Sequence, residues 1–546
     1  MYCVQCEQSN KGGCAVKVGS CGKTADVADL QDVLLRLMLG VSVFAHRAAQ
    51  SGARDADVDA FTSHAWFTTL TNVNFDQTRF AALIAQALEM RARALAEKAG
   101  ADLSNLPQPA IWNPGATVDA WINAAPMAGI HKDMDRDGPT IVGLRALILY
   151  GLKGTAAYGE HARVLGTQEA AVSADFHARA AQLAEDPTDI GLLLGEALSV
   201  GALNLKVMEL LDAANTGRFG HPEVTHVRMT PKAGKCLLVS GHDMGDLEAI
   251  LQQSEGKDVN VYTHGELLPA NAYPGLKKYP HLAGNYGGAW QDQQRDFDAF
   301  PGAIVMTSNC LVNPNIKGYA DRIFTAGPVG WEGIPHLTGH DFTPAIECAL
   351  AQPGFAGDAV EQTIPIGFAR NTVMGVADTL LDLIGKGEVK NMFLIGGCDG
   401  ARPGRNYFHD LAMATPQDSL VLTLGCGKFR FNRENLGAIN GVPRVLDVGQ
   451  CNDAYSAIQI AVAIAGTLGV GVNDLPLHYA ISWFEQKATA VLLTMLHLGI
   501  RKIHLGPTLP QFLTPEVLAV LSEKFDIRPT GDAQEDLNGM LGLAAE

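Results

Sequence analysis

The fold turns on residues 235–266, "KCLLVSGHDMGDLEAILQQSEGKDVNVYTHGE". Two short apolar runs, "KCLLVSG" and "DVNVYTHG", flank a helical stretch, and each run ends in a glycine. Strand, helix and strand in succession predict a parallel pair covered by its connecting helix. His242 stands directly after the first glycine and Glu266 directly after the second. Each predicted strand therefore delivers a metal-capable side chain at its carboxyl end.

The same texture runs on downstream. "GAIVMTSN", "RIFTAGPVG", "NMFLIGG", "SLVLTLG", "PRVLDVG" and "RKIHLGP" read as further short strands between helical stretches. From about residue 25 to 225 such runs are scarce. "FDQTRFAALIAQALEMRARALAEKAG" (75–100) is typical of that region: Asp76 can cap a helix, Gly100 can end it, and Phe80, Leu83, Ile84, Ala87 and Leu88 share a face. The 546 residues exceed what one hydrophobic core organises. The expected architecture is multidomain: an N-terminal all-α helical bundle over 1–225, then two α/β domains with parallel, Rossmann-like sheets over 226–358 and 359–546. The seam between the last two falls in "AQPGFAGDAVEQTIP" (351–365).

Composition is that of an ordinary globular chain, 47% hydrophobic and 18% charged. A net charge of −17 argues against nucleic acid as a partner. The start "MYCVQCEQSN" has neither the basic nor the apolar part of a secretory signal. "AIQIAVAIAGTLGVGV" (457–472) is shorter than a membrane span and reads as a buried helix. A cytoplasmic protein with no membrane partner is expected.

Ten cysteines are too few for a disulfide scaffold in a chain of this length. Four lie in "CVQCEQSNKGGCAVKVGSC", as Cys3-x2-Cys6-x7-Cys14-x6-Cys21, with Gly12, Gly13 and Gly19 between them. Four thiolates at this spacing suit either zinc or an iron–sulfur cluster. A second group is dispersed: His242, Glu266, Cys310 after "IVMTSN", Cys398 after "FLIGG", Cys426 after "VLTLG" and Cys451 after "VLDVGQ". Ligands in open α/β sheets bind beyond the strand carboxyl ends, so strand ends of two facing sheets can converge on one buried centre. Glu485, in "WFEQKA" at the start of a helix predicted over 482–498, is a further candidate. Thiolates hold iron and sulfide, whereas imidazole and carboxylate are harder ligands. A mixed set leaves the irons inequivalent and open to a small substrate.

These blocks carry a family resemblance. "CVQCEQ…CGKTADVADLQDVL", "SGHDMGDLEAIL", "YTHGELLPANAYP", "TSNCLVNP", "FLIGGCDGARPGRNYF", "LGCGKFRFN", "DVGQCNDAYSAIQIA" and "ISWFEQKA" together resemble the hybrid cluster protein (hydroxylamine reductase) family, in family order and over essentially the whole chain. The resemblance implies that Cys3, Cys6, Cys14 and Cys21 bind a conventional iron–sulfur cluster, [4Fe–4S] or alternatively [2Fe–2S]. It implies that His242, Glu266, Cys310, Cys398, Cys426, Cys451 and Glu485 bind a hybrid [4Fe–2O–2S] cluster at the junction of the domains, with Cys398 carrying an extra sulfur as a persulfide. Lys487 matches a lysine beside the cluster's oxygen face, although by itself it reads equally well as a surface lysine. Gly396 and Gly397 then read as room for the cluster to approach the backbone.

The implied reaction is reduction of hydroxylamine to ammonia and water. Cys398, Glu266, Glu485 and Lys487 are the expected catalytic residues, with proton delivery assigned to the last three. Nitric oxide reduction in nitrosative-stress defence is the alternative, as is a non-catalytic redox or nitrosylation role. A nickel enzyme like carbon monoxide dehydrogenase is disfavoured by the His and Glu ligands. No phosphate-binding loop is present, and "GVGVND" (469–474) lacks the last glycine of a dinucleotide fingerprint. Electrons are therefore expected from an external donor, such as an NADH-dependent reductase or a small redox protein. "KDMDRDGPTIVGL" (132–144) starts like a calcium loop but places Leu144 where the closing Glu belongs, and is read as a polar turn. Cys236 and Cys348 are read as packing thiols.

Overall fold

The structure is a computed structural model that describes residues 3–9, 13–96, 103–401 and 406–543. Gly12, between the first cysteines, and Gly100, expected to end a helix, lie outside the described residues. The chain is helical from Ala25 to Phe219 and then lays down two six-stranded sheets.

The long helices of the first part are Ala25–Gln50, Gln77–Ala96, Met134–Val164 and Ile190–Phe219. Their starts follow capping chemistry. Thr24 and Asp189 accept from the N–H groups of Val27 and Leu192, and Asp76 Oδ1 accepts from Thr78 N at 2.8 Å. Phe80, Leu83, Ile84 and Ala87 are buried together, as their spacing predicts. Gly138, with φ 78°, breaks the third helix near its start. Asp133 and Asp137, the start of the apparent calcium loop, are held there by Arg145, Arg136 and Lys132. Among the described residues only Ile190–Phe219 is long and apolar enough to cross a membrane by length and composition. Its Leu193, Val200, Leu203 and Leu211 are packed in the protein core.

Strand β1 (Thr225–Arg228) pairs antiparallel with β8 (Thr363–Ile366). The second of these lies in the stretch read as the least structured seam; its alternating Thr363-Ile364-Pro365-Ile366 is an edge strand that covers Val227. The first large sheet comprises β2 (Lys235–Ser240), β3 (Val259–His264), β4 (Leu282–Asn285), β5 (Ala303–Met306), β6 (Ile323–Ala326) and β7 (His336–Leu337), in the order 4-3-2-5-6-7 and all parallel. Leu237 and Val239 pack on one face, Cys236 and Leu238 on the other. Burial on both faces explains the continuous apolar runs.

The second large sheet comprises β9 (Asn391–Gly397), β10 (Ser419–Leu424), β13 (Val445–Gly449), β14 (Leu477–Ser482), β15 (Ile503–Gly506) and β16 (Ile527–Pro529), in the order 13-10-9-14-15-16 and again all parallel. A small hairpin, β11 (Ala438–Ile439) and β12 (Val442–Pro443), sits apart. The hydrophobic core of the helical part is continuous with this sheet: Leu147, Leu203 and Val207 share one cluster with Met392, Leu422, Ile481 and Leu493.

Two sequence expectations change here. Residues 482–485 are not helical; the strand Leu477–Ser482 ends there, and the helix runs Gln486–His497 with Glu485 as its N-cap. The helix within 457–472 is Ala454–Leu468, ended by Gly469 in the left-handed conformation; Val462, Leu468 and Val470 are exposed, so only one face is buried.

Candidate metal centres

In each sheet the strand order reverses once. In the first, chain order runs one way from β2 through β3 to β4 and the other way from β5. In the second, it runs one way from β9 through β10 to β13 and the other way from β14. Such switch points open a crevice beyond the strand carboxyl ends. His242, Glu266 and Cys310 follow β2, β3 and β5, three neighbouring strands. Cys398, Cys426, Cys451 and Glu485 follow β9, β10, β13 and β14, four neighbouring strands. All seven side chains are buried.

They meet across the two sheets. His242 Nε2 lies 3.7 Å from Glu266 Oε2, and one ligand atom from each of His242, Glu266 and Cys451 falls within 4.8 Å of the others. Glu266 Oε2 also accepts from the Cys451 N–H at 2.8 Å. Cys398 Sγ is 4.0 Å from Glu485 Oε1. Cys310 and Cys426 interact through their thiols and share an apolar cluster with Cys398, Trp290 and Phe484. Trp290 and Phe484 stack with centroids 4.4 Å apart.

The electrostatics of the crevice suit a bound cation. Burial pushes the Cys398 and Cys451 thiols well above their ordinary range, and Glu485 and Cys426 push Cys398 further. Cys426 is raised by its hydrogen bond with Cys310 and then by burial. Burial raises Glu485 too, against the opposing Lys487 charge, and lowers His242 well below an ordinary histidine, with Lys487 and His161 adding to it. A bound polycation would favour thiolate, carboxylate and neutral imidazole at once. Glu266 Oε1 is buried and without a hydrogen-bond partner among the described residues, as a metal-ligand atom would be before metal binds. The donor set of four thiols, one imidazole and two carboxylates fits a mixed iron–sulfur–oxygen group.

Lys487 is fully buried, which removes the surface reading. Burial works against its charge, but Cys451, Glu485, Cys310 and Cys398 outweigh this and raise its proton affinity above that of an ordinary lysine. Its ammonium lies 3.4 Å from Asn309 Oδ1 and 5.9 Å from the Tyr158 ring centroid. The Glu485 carboxylate, capping the helix that carries Lys487, accepts from the Lys487 N–H at 2.9 Å.

Gly396 and Gly397 are required by the sheet itself. A Cβ on Gly396 would lie 2.7 Å from Leu424 O, and one on Gly397, whose φ is 112°, would lie 2.4 Å from Ser482 O. The glycines admit the neighbouring strands, and so place Cys398. Asp399 then anchors the turn: Ser482 Oγ and Arg430 Nε donate to its carboxylate, and Trp290 Nε1 donates to its carbonyl.

Cys3, Cys6, Cys14 and Cys21 are all free thiols. The Cys3 and Cys14 backbones bridge each other with paired N–H···O contacts, and all four cysteines line one small cavity with Gln5, Lys23 and Thr71. Burial pushes Cys6 well above the ordinary thiol range, with Cys21 and Cys3 adding to it. Cys6 belongs to the same apolar cluster as Cys310, Cys398 and Cys426, so the two cysteine groups adjoin. Cys236 is buried within β2, and Cys348 is a half-buried residue on a helix.

Several residues at the site were not singled out from sequence. Ser308 Oγ accepts from the His242 N–H at 2.9 Å and lies 3.4 Å from its Nδ1; it was visible only as a neighbour of Cys310 in "TSNC". Gln450 Nε2 donates to His242 O. Tyr158 and His161 come from the helix Met134–Val164. Tyr158 OH donates to Cys451 O at 3.4 Å, and the His161 and His242 ring centroids are 6.1 Å apart.

A helical region followed by two parallel sheets, with their switch points facing across a thiol-rich crevice, defines a multidomain protein built round a buried site whose donors suit a redox metal. The family model for the Prismane/CO dehydrogenase family matches residues 1–538, and the chain belongs to that family. Membership implies iron–sulfur clusters. The chain is 54% identical over 555 aligned residues to a hydroxylamine reductase of Burkholderia lata, and 52% identical to one of Acidithiobacillus ferrooxidans, with full coverage of both partners in each case. Among solved structures it resembles carbon monoxide dehydrogenase IV from Carboxydothermus hydrogenoformans, with TM-score 0.56 at 16% identity, covering 99% of this chain and 92% of that one. The likeness extends to carbon monoxide dehydrogenase from Thermococcus sp. AM4, with TM-score 0.54 at 17% identity, covering 99% and 90%. These two similarities concern the fold.

Proposed function

We propose that the chain is a hydroxylamine reductase, converting hydroxylamine, two electrons and two protons into ammonia and water. The observation that carries this reading is the convergence of His242, Glu266, Cys310, Cys398, Cys426, Cys451 and Glu485 from seven strand ends at two facing switch points. These residues would hold the hybrid [4Fe–2O–2S] cluster, with Cys398 carrying an extra sulfur. Cys3, Cys6, Cys14 and Cys21 would hold a [4Fe–4S] cluster through which electrons arrive from an external reductase or small redox protein in the cytoplasm. We take 1–225, 226–358 and 359–546 as the working domains, with the hybrid site at their junction.

When bound, the clusters would supply the two electrons and a binding site for the substrate. The protein's part is proton supply and orientation. Lys487 has its ammonium among the cluster ligands and is the first proton donor to the departing oxygen. Glu485 and Glu266 are carboxyl groups at the same space, and Ser308 and Gln450 hold the His242 segment in place.

An apolar cavity of about 190 Å³ is lined by Ile458, Ala461, Leu422 and Ile481 and also by Cys398, Cys451 and Tyr158 of the site. Its lining suits small uncharged molecules. Its apolar walls also favour a second reading, nitric oxide as substrate.

Anaerobic purification with iron and sulfide counting, electron paramagnetic resonance and turnover on each substrate with one electron donor tests the assignment. Two cluster signals, hydroxylamine turnover, and loss of both hybrid signal and turnover in Glu266→Ala and Cys398→Ala are expected. Zinc alone, a single cluster, or full activity in either variant would sink it. Faster turnover of nitric oxide would shift the assignment to the second reading.

A further inference from the structure

Lys153 sits in the middle of the helix Met134–Val164 with 1% of its surface exposed. Its ammonium donates to Gln5 Oε1 at 2.5 Å and to Thr69 O at 2.8 Å. Gln5 lies inside the turn between Cys3 and Cys6. The Gln5 backbone carbonyl accepts in turn from Gln486 Nε2, and Gln486 also exchanges hydrogen bonds with Thr71, its Oε1 accepting from Thr71 N at 2.9 Å. Gln486 stands between Glu485 and Lys487. At Gly154, beside Lys153, a Cβ would come within 2.3 Å of Gln486 O, so the two helices touch at this point. One lysine and two glutamines thus join the turn of one candidate centre to the turn of the other.

A buried ammonium is unfavourable unless negative charge faces it. Burial, with nearby Lys23 adding to it, outweighs the favourable charges of Cys3, Asp32 and Glu485 and holds Lys153 at about 7. Asp32 is itself pushed up to about 7 by burial. The protein's own groups leave the ammonium under-compensated. Four thiolates carry more negative charge than the iron–sulfide core they would bind, and that excess is what the ammonium would face.

We propose that Lys153 is a positioning residue for electron delivery: its ammonium offsets the negative charge gained when the N-terminal centre is reduced, and through Gln5 and Gln486 it holds that centre in register with the hybrid site. This rests on the cluster assignment proposed above. One electron leaves the external donor and arrives at the N-terminal centre, whose charge falls by one. No bond forms or breaks, and Lys153 keeps its proton.

The test is an anaerobic redox titration of the full-length holoenzyme, following the N-terminal and hybrid centres separately by electron paramagnetic resonance. Lys153→Gln keeps a hydrogen-bond donor without charge, and Lys153→Met keeps neither. Both are expected to disfavour reduction of the N-terminal centre by about tenfold, which for a one-electron couple is 59 mV, with a smaller shift at the hybrid centre. A potential unchanged in both, or shifted in Lys153→Met alone, overturns the charge role. Should neither variant retain iron, Lys153→Arg decides. Iron retained with the charge supports the proposal, and iron lost despite the charge overturns it. A wild-type chain without iron at the four cysteines would instead defeat the cluster assignment itself, whereas two intact clusters with unshifted variants defeat only the role of Lys153.

Discussion

Lys428 and Asp447 form a fully interior ion pair behind the hybrid site, with side chains 0% and 3% exposed. Lys428 lies two residues after Cys426, and Asp447 four before Cys451. The ammonium donates to Asp447 Oδ1 and, at 2.6 Å, to Gly449 O; Asp447 Oδ1 also accepts from the Gly449 N–H at 3.1 Å. Asp447 Oδ2 has no partner among the described residues. Lys428→Met would leave a buried carboxylate without its cation and remove one of the donors to Gly449 O. Breaking a buried pair from one side costs about 3–5 kcal/mol, whereas replacing both members by apolar groups is often close to neutral. Lys428→Met should therefore destabilise by that amount, and Lys428→Met with Asp447→Leu should recover at least about 2 kcal/mol of it. Urea unfolding followed by tryptophan emission and circular dichroism measures this, with coincident transitions as the check on two-state treatment. In the single variant the segments bearing Cys426 and Cys451 lose their shared anchor, so the hybrid-centre signal should fall while the four-cysteine centre keeps its iron. A cost below about 1 kcal/mol, or a double variant as unstable as the two single losses added together, would refute the reasoning.

Glu266→Gln removes one carboxylate ligand while keeping an acceptor for the Cys451 N–H, so iron and signal at the hybrid centre should drop with little change in secondary structure; retention of full iron content would contradict the ligand role. Gly397→Ala forces a Cβ to 2.4 Å from Ser482 O at a φ of 112°. It should cost about 2–4 kcal/mol in a thermal or urea melt and displace Cys398, and an unchanged melting point would show that strands β9 and β14 can part freely. Glu160 is held down to about 2: burial opposes this, and its hydrogen bonds to Arg163 and His64 prevail. A folded value below the ordinary 4.5 stabilises above pH 4.5 and is lost as pH falls towards 2, so Glu160→Gln should cost about 3 kcal/mol at pH 7 and less than half of that near pH 3. A pH-independent difference between the two proteins would contradict it.

Strand ends were the most legible part of the molecule, because parallel strands buried on both faces are written as short apolar runs closed by glycine. His242, Glu266, Cys398, Cys426 and Cys451 carry that local mark, and Cys310 follows an apolar run closed by Thr307-Ser308-Asn309 instead of glycine. Glu485 does not. Its strand, Leu477–Ser482, contains His478, Tyr479 and Ser482, which interrupt the apolar run, and the amphipathic helix behind it dominated the reading. Its place beside β9 follows only from the sheet order, in which a strand eighty residues further along the chain returns past β10 and β13.

The helical residues of the site were less legible still. Tyr158 and Lys153 are polar-bearing side chains on a helix buried nearly all round, where periodicity distinguishes no functional face. Their partners, Cys451 O and Gln5, lie 293 and 148 residues away. What specifies them is a balance of charge across three chain segments: a thiol loop at the amino end, a helix in the middle and a strand end near the carboxyl end. Each segment alone buries polar or ionisable groups at a cost. Packed together round the proposed iron centres, the thiols, carboxylates and ammonium groups would compensate one another. The same side chains that make the bare crevice electrostatically unfavourable are therefore the ones that select a multiply charged centre to fill it.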